Sequence, residues 1–311
     1  MWGLTLLRVD YDVEHADATR AAYHECGTTG EVTLNRQLRW ILWAGTVGFD
    51  SPLPARFDAA AEVGYDRVSL SPPEVKRAAD SGIAVNQIGR GARDRGLELI
   101  IDPVMNWYPD HAPSPARSRF AGVSADDALR MTEALGAAAM TVIATPTSDV
   151  PAADLAEPFA RICDRAAAFG SDVQLEFMPF TVVRTLGVAW DIIRTAARHN
   201  GGLVFDTWHF FRGEPEFELL ETVAGERIFC VQLDDAAAEP QGTLREDTNR
   251  RLMPGDGTFD LTRVVRVLDR IGALRWVGPE VINPELAALP VEHVAHLAME
   301  KVRVVLDAAL S

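Results

Sequence analysis

The sequence predicts an α/β protein closed into a single (β/α)8 TIM barrel with an N-terminal extension. Three observations predict it. Eight short apolar or β-branched runs follow one another from residue 39 onward, segments of helical periodicity separate them, and no Gly-x-Gly-x-x-Gly turn follows the first run. The third argues against an open doubly wound sheet, which carries that turn and has fewer strands.

The expected strands, in order, are RWILWAG (39–45), DRVSLS (66–71), LELIIDP (97–103), MTVIAT (140–145), DVQLEF (172–177), GLVFD (202–206), RIFCVQL (227–233) and WVGPEV (276–281). Between them ARFDAAAEVG, DDALRMTEALGA, LAEPFARICDRAAAFG and LTRVVRVLDRIG carry apolar residues three and four apart, and several end in the glycine preferred just past a helix. GRGARDRG (89–96) follows a helical segment rather than a strand, so it reads as a helix end before strand 3 and not as a phosphate cradle. Residues 1–36 do not fit the repeat and read as an extension, with 37–311 as the barrel; a subunit contact in a homo-oligomer is one role such an extension could serve. Two connections are long: 104–122, with Trp107, Tyr108, His111 and Arg119, and 234–257, rich in charge. Both follow strands and so belong to the C-terminal face, where barrels place their chemistry.

Composition narrows the function. A net charge of −15 and a pI near 4.9 repel a phosphate backbone, which argues against general nucleic-acid binding. The N-terminus has no basic leader and no run is long enough to span a bilayer, so a soluble cytoplasmic protein is expected. Cys26, Cys163 and Cys230 show no CxxC spacing and read as reduced thiols. Lysine occurs only at 76 and 301, which disfavours a Schiff-base mechanism.

The last four strands each end on a polar residue: Glu176, Asp206, Gln232 and Glu280. Any one of these alone is more often a helix cap or an ion-pair partner. Together they converge on one rim, where three carboxylates would repel each other unless a cation held them. Oxygen donors suit Mn²⁺, Mg²⁺ or Co²⁺, and such an ion would polarise a substrate carbonyl. His209, three residues after Asp206, is expected to face substrate beside the ion as an acid, a base or a hydroxyl-orienting group. Arg250 and Arg251, next to PGDG (254–257), are candidate anion hooks, with pairing to Glu246 and Asp247 as the competing reading. Trp43, Trp107, Tyr108, Trp208 and Phe210 are either flat pocket walls or packing under the loops.

The elements LEFMPF with Glu176, FDTWHF with Asp206 and His209, VQLDD with Gln232 and Asp235, MPGDG, and GPEVINPEL with Glu280 resemble the xylose isomerase-like superfamily of sugar phosphate isomerases and epimerases, over residues 38–311. The resemblance implies one divalent ion, Mn²⁺ first, on Glu176, Asp206, Gln232 and Glu280, with His209 toward a small-molecule substrate; Asp235, Trp107 and Trp208 are further candidates for contact with it. Many epimerases of the group have histidine on strand 7. Gln232, DTxH and the arginine-containing loop before PGxG look closer to the 3-dehydroshikimate and inosose dehydratase branches. The implied reaction is proton abstraction next to a metal-bound carbonyl of a sugar or cyclic polyol-derived ketone, with Glu176 and Glu280 shuttling protons. Return of the proton gives isomerisation or epimerisation, and loss of a β-hydroxyl gives dehydration. A zinc endonuclease on the same barrel would need more histidines and a basic face, and a non-catalytic binding barrel would have no use for the metal set.

Overall fold

The computed structural model describes residues 38–109, 120 and 122–311. Strands β1 (Arg39–Leu42), β2 (Arg67–Leu70), β3 (Glu98–Val104), β4 (Ala139–Ile143), β5 (Asp172–Glu176), β6 (Gly201–Asp206), β7 (Ile228–Leu233) and β8 (Trp276–Pro279) form a closed parallel barrel in sequence order. All eight expected runs are strands. The first is shorter than expected: it stops at Leu42, and Trp43 leads into the one-turn helix α1 (Ala44–Val47). The reason is local, because Ser69 Oγ accepts from the Ala44 amide at 2.8 Å and Thr46 Oγ1 donates to the Pro279 carbonyl at 2.8 Å. These side-chain bonds replace the ladder there.

The outer layer is built by α2 (Leu53–Val63), α3 (Pro72–Asp80), α4 (Val85–Arg93), α5 (Ala125–Leu135), α6 (Ala156–Ala167), α7 (Leu186–Ala196), α8 (Thr207–Arg212), α9 (Phe217–Leu220), α10 (Leu244–Asp247), α11 (Leu261–Arg270), α12 (Pro284–Ala287) and α13 (Val291–Leu310). GRGARDRG is the end of α4 and its turn, as its place after a helical segment predicts; Gly96 there takes a left-handed φ of 75°.

Strand alternation sorts the apolar residues into two cores. Leu42, Val68, Leu99, Ile101, Val142 and Leu203 face outward into the layer shared with the helices. Ile41, Trp43, Ile100, Ala139, Val204 and Cys230 form a separate cluster inside the barrel, with Trp276 packed against it. Below them Arg39 and Arg67 lie over the Trp276 ring at 4.5 and 3.5 Å. Two residues further along each strand, the same inner positions are Asp102, Thr141, Asp206 and Gln232, and Glu176 and Glu280 follow the same parity on β5 and just past β8. The site is therefore the top of the inner core.

Closure between β8 and β1 depends on Gly278, where an added Cβ would lie 1.8 Å from the Ile41 carbonyl oxygen, a backbone atom that cannot swing away. Gly278→Ala is expected to cost about 3 kcal/mol or more, because the strands must separate to admit the methyl. A urea unfolding midpoint that does not move would contradict this account.

In the loop after β3, Trp107 Nε1 donates to the Ile143 carbonyl at 2.8 Å, and Tyr108 Oη accepts from the Thr145 amide at 2.9 Å. Both rings are buried, and Trp107 packs edge-on against Phe159 at 6.0 Å. For these two, and for Phe210 in the outer core, the packing reading holds; the expected substrate-wall role of Trp107 is corrected, since its one polar atom is already bonded. His111, Arg119, Cys26 and the extension 1–36 lie outside the described residues. Cys163 and Cys230 are free, buried thiols. Among the described residues no helix is long and apolar enough to cross a membrane.

Candidate active site

Asp206 ends β6 and also caps α8, its Oδ1 accepting from the His209 amide at 2.7 Å. The cap uses Oδ1 and leaves Oδ2 for the groups of the barrel mouth, so the capping role does not exclude a role in the site. The cap also fixes the first turn of α8, which brings the His209 ring back over the mouth. There His209 Nε2 lies 3.2 Å from Glu176 Oε1 and 3.3 Å from Arg251 Nη2. Nε2 would donate to Glu176 in one tautomer and accept from the guanidinium in the other, and Arg251 Nη2 also donates to Thr248 Oγ1 at 3.2 Å.

Glu176, Asp206 and His209 are all buried, and one donor atom of each lies within 4.8 Å of the others, a spacing that can hold a metal ion. Gln232 pairs in register with Asp206 on one side and Gly278 on the other, which places it between β6 and β8. Neither polar atom of its buried side chain has a partner, and His209 Nδ1 and the Trp208 and Trp43 indole nitrogens also lack one. Buried amides are rarely left without partners, so the unpaired Gln232 opposite Asp206 is suited to a ligand that its oxygen can hold. The residues fit a divalent ion. His209 stands close enough to be a ligand itself, whereas its spacing in the sequence suggested substrate alone.

The mouth already contains one cation. Arg251 is 1% exposed, and its Nη1 donates to Asp206 Oδ2 at 2.7 Å, Asp234 Oδ2 at 2.5 Å and the Glu280 carbonyl at 3.0 Å, with Glu280 Oε2 at 3.4 Å. Its guanidinium is 5.3 Å above the Trp208 ring, which forms the wall behind it. The expectation of an anion hook facing a substrate therefore needs correction for Arg251: its charge is turned inward to acids of the protein. Arg250 lies outside the cluster, exposed and bonded to Gln241 Oε1 at 3.1 Å. Neither arginine takes the alternative partners, for Asp247 pairs with Arg212 at 2.8 Å and Glu246 caps Thr243.

Asp235 also departs from its expected place toward substrate. Its carboxylate accepts from the amides of Ala236 at 2.8 Å, Gly255 at 3.1 Å and Phe259 at 3.0 Å, which ties the two ends of the long loop after β7 together. The inward acid is its neighbour Asp234. Cys230 and Gln232 face the interior, so alternation assigns Asp234, not Asp235, to the same side. That signal is present in the sequence. Asp102 carries the same signal two residues above Ile100 on β3, hidden because it precedes a proline in an apolar run.

Asp102, Glu176, Asp206, Asp234 and Glu280 are thus five buried carboxylates, and Arg251 meets the last three. Burial raises the carboxyl of Asp234 well above the usual range, with Asp206 adding to it. Burial and then Glu176 do the same to Glu280 and to Asp102. For Asp206 burial pushes up as well, but Arg251 and His209 outweigh it and hold the group below its ordinary value. The two neighbours are thus pushed in opposite directions, and Asp234 Oδ1 accepts from the Thr207 hydroxyl at 2.6 Å.

A model of the xylose isomerase-like TIM barrel matches residues 57–303. The chain belongs to that family. Among curated members it is similar to an inosose isomerase of Bacillus velezensis, 33% identical over 49% of this chain and 54% of that protein. It is also similar to a 3-dehydroshikimate dehydratase of Pseudomonas aeruginosa, 26% identical over 79% of this chain and 38% of that protein. The match spans about half the length of the first of these relatives. A crystal structure of IOLI protein with a zinc atom bound shares the fold, with a TM-score of 0.74, 20% identity, and coverage of 88% of this chain and all of that one.

Proposed function

We propose that this xylose isomerase-like barrel is a divalent-metal-dependent isomerase or epimerase of a cyclic polyol-derived ketone such as an inosose. The observation that carries the reading is the convergence of Glu176, Asp206 and His209 within 4.8 Å, with the unpaired Gln232 amide beside them. The similarity to inosose isomerases favours a cyclic ketone over an open sugar. Glu176, Asp206, Gln232 and Glu280 would hold the ion, with His209 in reach. Mn²⁺ is the first choice for so many oxygen donors, with Mg²⁺ or Co²⁺ next, although the IOLI structure holds zinc.

A bound divalent ion supplies Lewis acidity that acidifies the carbon next to a ketone. The chain supplies the rest. Glu176 and Glu280 take and return the proton, and the His209 ring, 3.2 Å from Glu176 Oε1, orients Glu176 or a substrate hydroxyl. Arg251 offsets part of the negative charge of Asp206, Asp234 and Glu280, which limits repulsion among the buried acids. Trp208 closes the wall against water. The second reading is dehydration, supported by the similarity to a dehydratase and by Gln232 on β7. There the same abstraction is followed by loss of a β-hydroxyl.

The test is to incubate Mn²⁺-loaded protein with 2-keto-myo-inositol and 3-dehydroshikimate in D₂O, followed by NMR. Deuterium entering the carbon next to the ketone, with interconversion of inososes, is the expected result. An aromatic acid formed from 3-dehydroshikimate would select dehydration. No exchange with any of them, in protein that carries metal, would overturn the reading.

A further inference from the structure

Asp102 is a buried acid that the chemistry above does not use. It lies on the inner face of β3, two residues beyond Ile100, within an irregularity of the β3–β4 ladder where the register shifts between Ile101 and Val104. Such bulges re-aim side chains and recur beside active sites. The residue is 3% exposed, and no cation pairs with it among the described residues. The acids around it are Glu176, Glu74 and Asp206, and the neighbour that favours its charged form is the hydroxyl of Thr141.

That hydroxyl belongs to a chain of polar groups crossing the barrel interior. Gln174 Nε2 donates to Thr141 Oγ1 at 2.9 Å, and Cys230 Sγ donates to Gln174 Oε1 at 3.3 Å. The direction of the chain follows from proton counting. Thr141 has one proton, which it directs to Asp102, so its oxygen accepts from the Gln174 amide and leaves the amide oxygen for the thiol. Three buried residues on β4, β5 and β7 are thereby ordered to present one donor to one carboxyl. A carboxyl has two oxygens, and Thr141 serves one of them. A buried acid among acids, with the Thr141 hydroxyl on one side, can offer its other oxygen to a ligand hydroxyl.

We propose that Asp102 is a substrate-contacting residue: it hydrogen-bonds one hydroxyl of the polyol ring and sets which ring positions the site accepts, with Cys230, Gln174 and Thr141 as its positioning residues. This rests on the proposed action on a cyclic hydroxy-ketone and adds a specificity contact on β3, away from the metal-holding strands. Asp102 gives the ring an acceptor, and the unpaired indole nitrogen of Trp43 on the same inner face gives it a donor.

The experiment uses Mn²⁺-loaded full-length protein, Asp102→Asn and Thr141→Val, with 2-keto-myo-inositol and its monodeoxy analogues, read by KM, kcat and equilibrium binding. For Asp102→Asn a KM raised 10-fold or more is expected, with kcat changed less than 3-fold and metal content unchanged. Thr141→Val should raise KM about 3-fold. One deoxy analogue, lacking the hydroxyl that Asp102 holds, should bind wild type and Asp102→Asn equally. A merely structural Asp102 would lower the melting temperature and weaken every analogue alike, and that result would overturn the proposal. Should Asp102→Asn fail to fold, the analogue pattern of Thr141→Val decides in the same way. If the wild type binds the ketones but turns none over, the isomerase reading fails while the binding pattern still decides the role of Asp102. If it binds none of them, both fall.

Discussion

Glu280→Gln should lower turnover by at least about 100-fold, the loss typical of removing a positioned proton-transfer group, while leaving the protein folded. The substitution keeps the size of the side chain and removes one negative charge from a group of five buried acids, so the melting temperature of the metal-free protein should hold or rise. The amide that replaces the carboxylate would still offer an oxygen, but a neutral one, so bound Mn²⁺ measured by elemental analysis should fall. Glu280 sits just past β8, and its backbone amide donates to the Leu233 carbonyl at 3.2 Å, which keeps the main chain in place whatever the side chain does. Full activity in this variant would remove Glu280 from both of its roles.

The second large effect concerns Arg251→Met. Removing one partner from a buried ion cluster leaves the remaining charges uncompensated, at a cost of about 3–5 kcal/mol and a fall in melting temperature of roughly 10 °C. Arg251 meets three acids and is itself held more strongly protonated than a free arginine, because Asp206, Asp234 and Glu280 together outweigh its burial. The loss should depend on pH. Asp234 and Glu280 bind protons more tightly folded than unfolded, so their contribution to stability is greatest below about pH 4 and is lost as pH rises through their raised folded range. Without the guanidinium that range moves higher still, so the deficit of Arg251→Met should shrink as pH is lowered from about 8 to about 5. Melting curves across that interval measure it. A deficit independent of pH would mean that Arg251 stabilises the mouth by packing on Trp208 rather than by charge.

The barrel was legible because its evidence is repeated: each apolar run is short, each is followed by helical spacing, and eight such runs are hard to arrange otherwise. The strand-end residues Glu176, Asp206, Gln232 and Glu280 were legible for the same reason, each closing a run. What failed concerns side chains whose partners lie far off in sequence. Arg251 reads as an anion hook for a substrate until the fold brings it to Asp206, a partner 45 positions earlier. Asp234 and Asp235 are adjacent and alike, and only strand parity separates the inward acid from the one that folds the loop. Trp107 could not be assigned from sequence because its hydrogen bond runs from the loop after β3 to Ile143 on β4, 36 positions later.

The amides gathered by Asp235 have a kinetic meaning. Together with Asp247, which accepts from Arg212 and from the Gln241 amide, they give the long segment after β7 its shape from within the protein. A segment already ordered loses little chain entropy when a ligand arrives. Encounter at this side of the mouth should therefore be limited by desolvation of the acids and not by loop closure, and affinity differences among ketones should appear in how fast they leave.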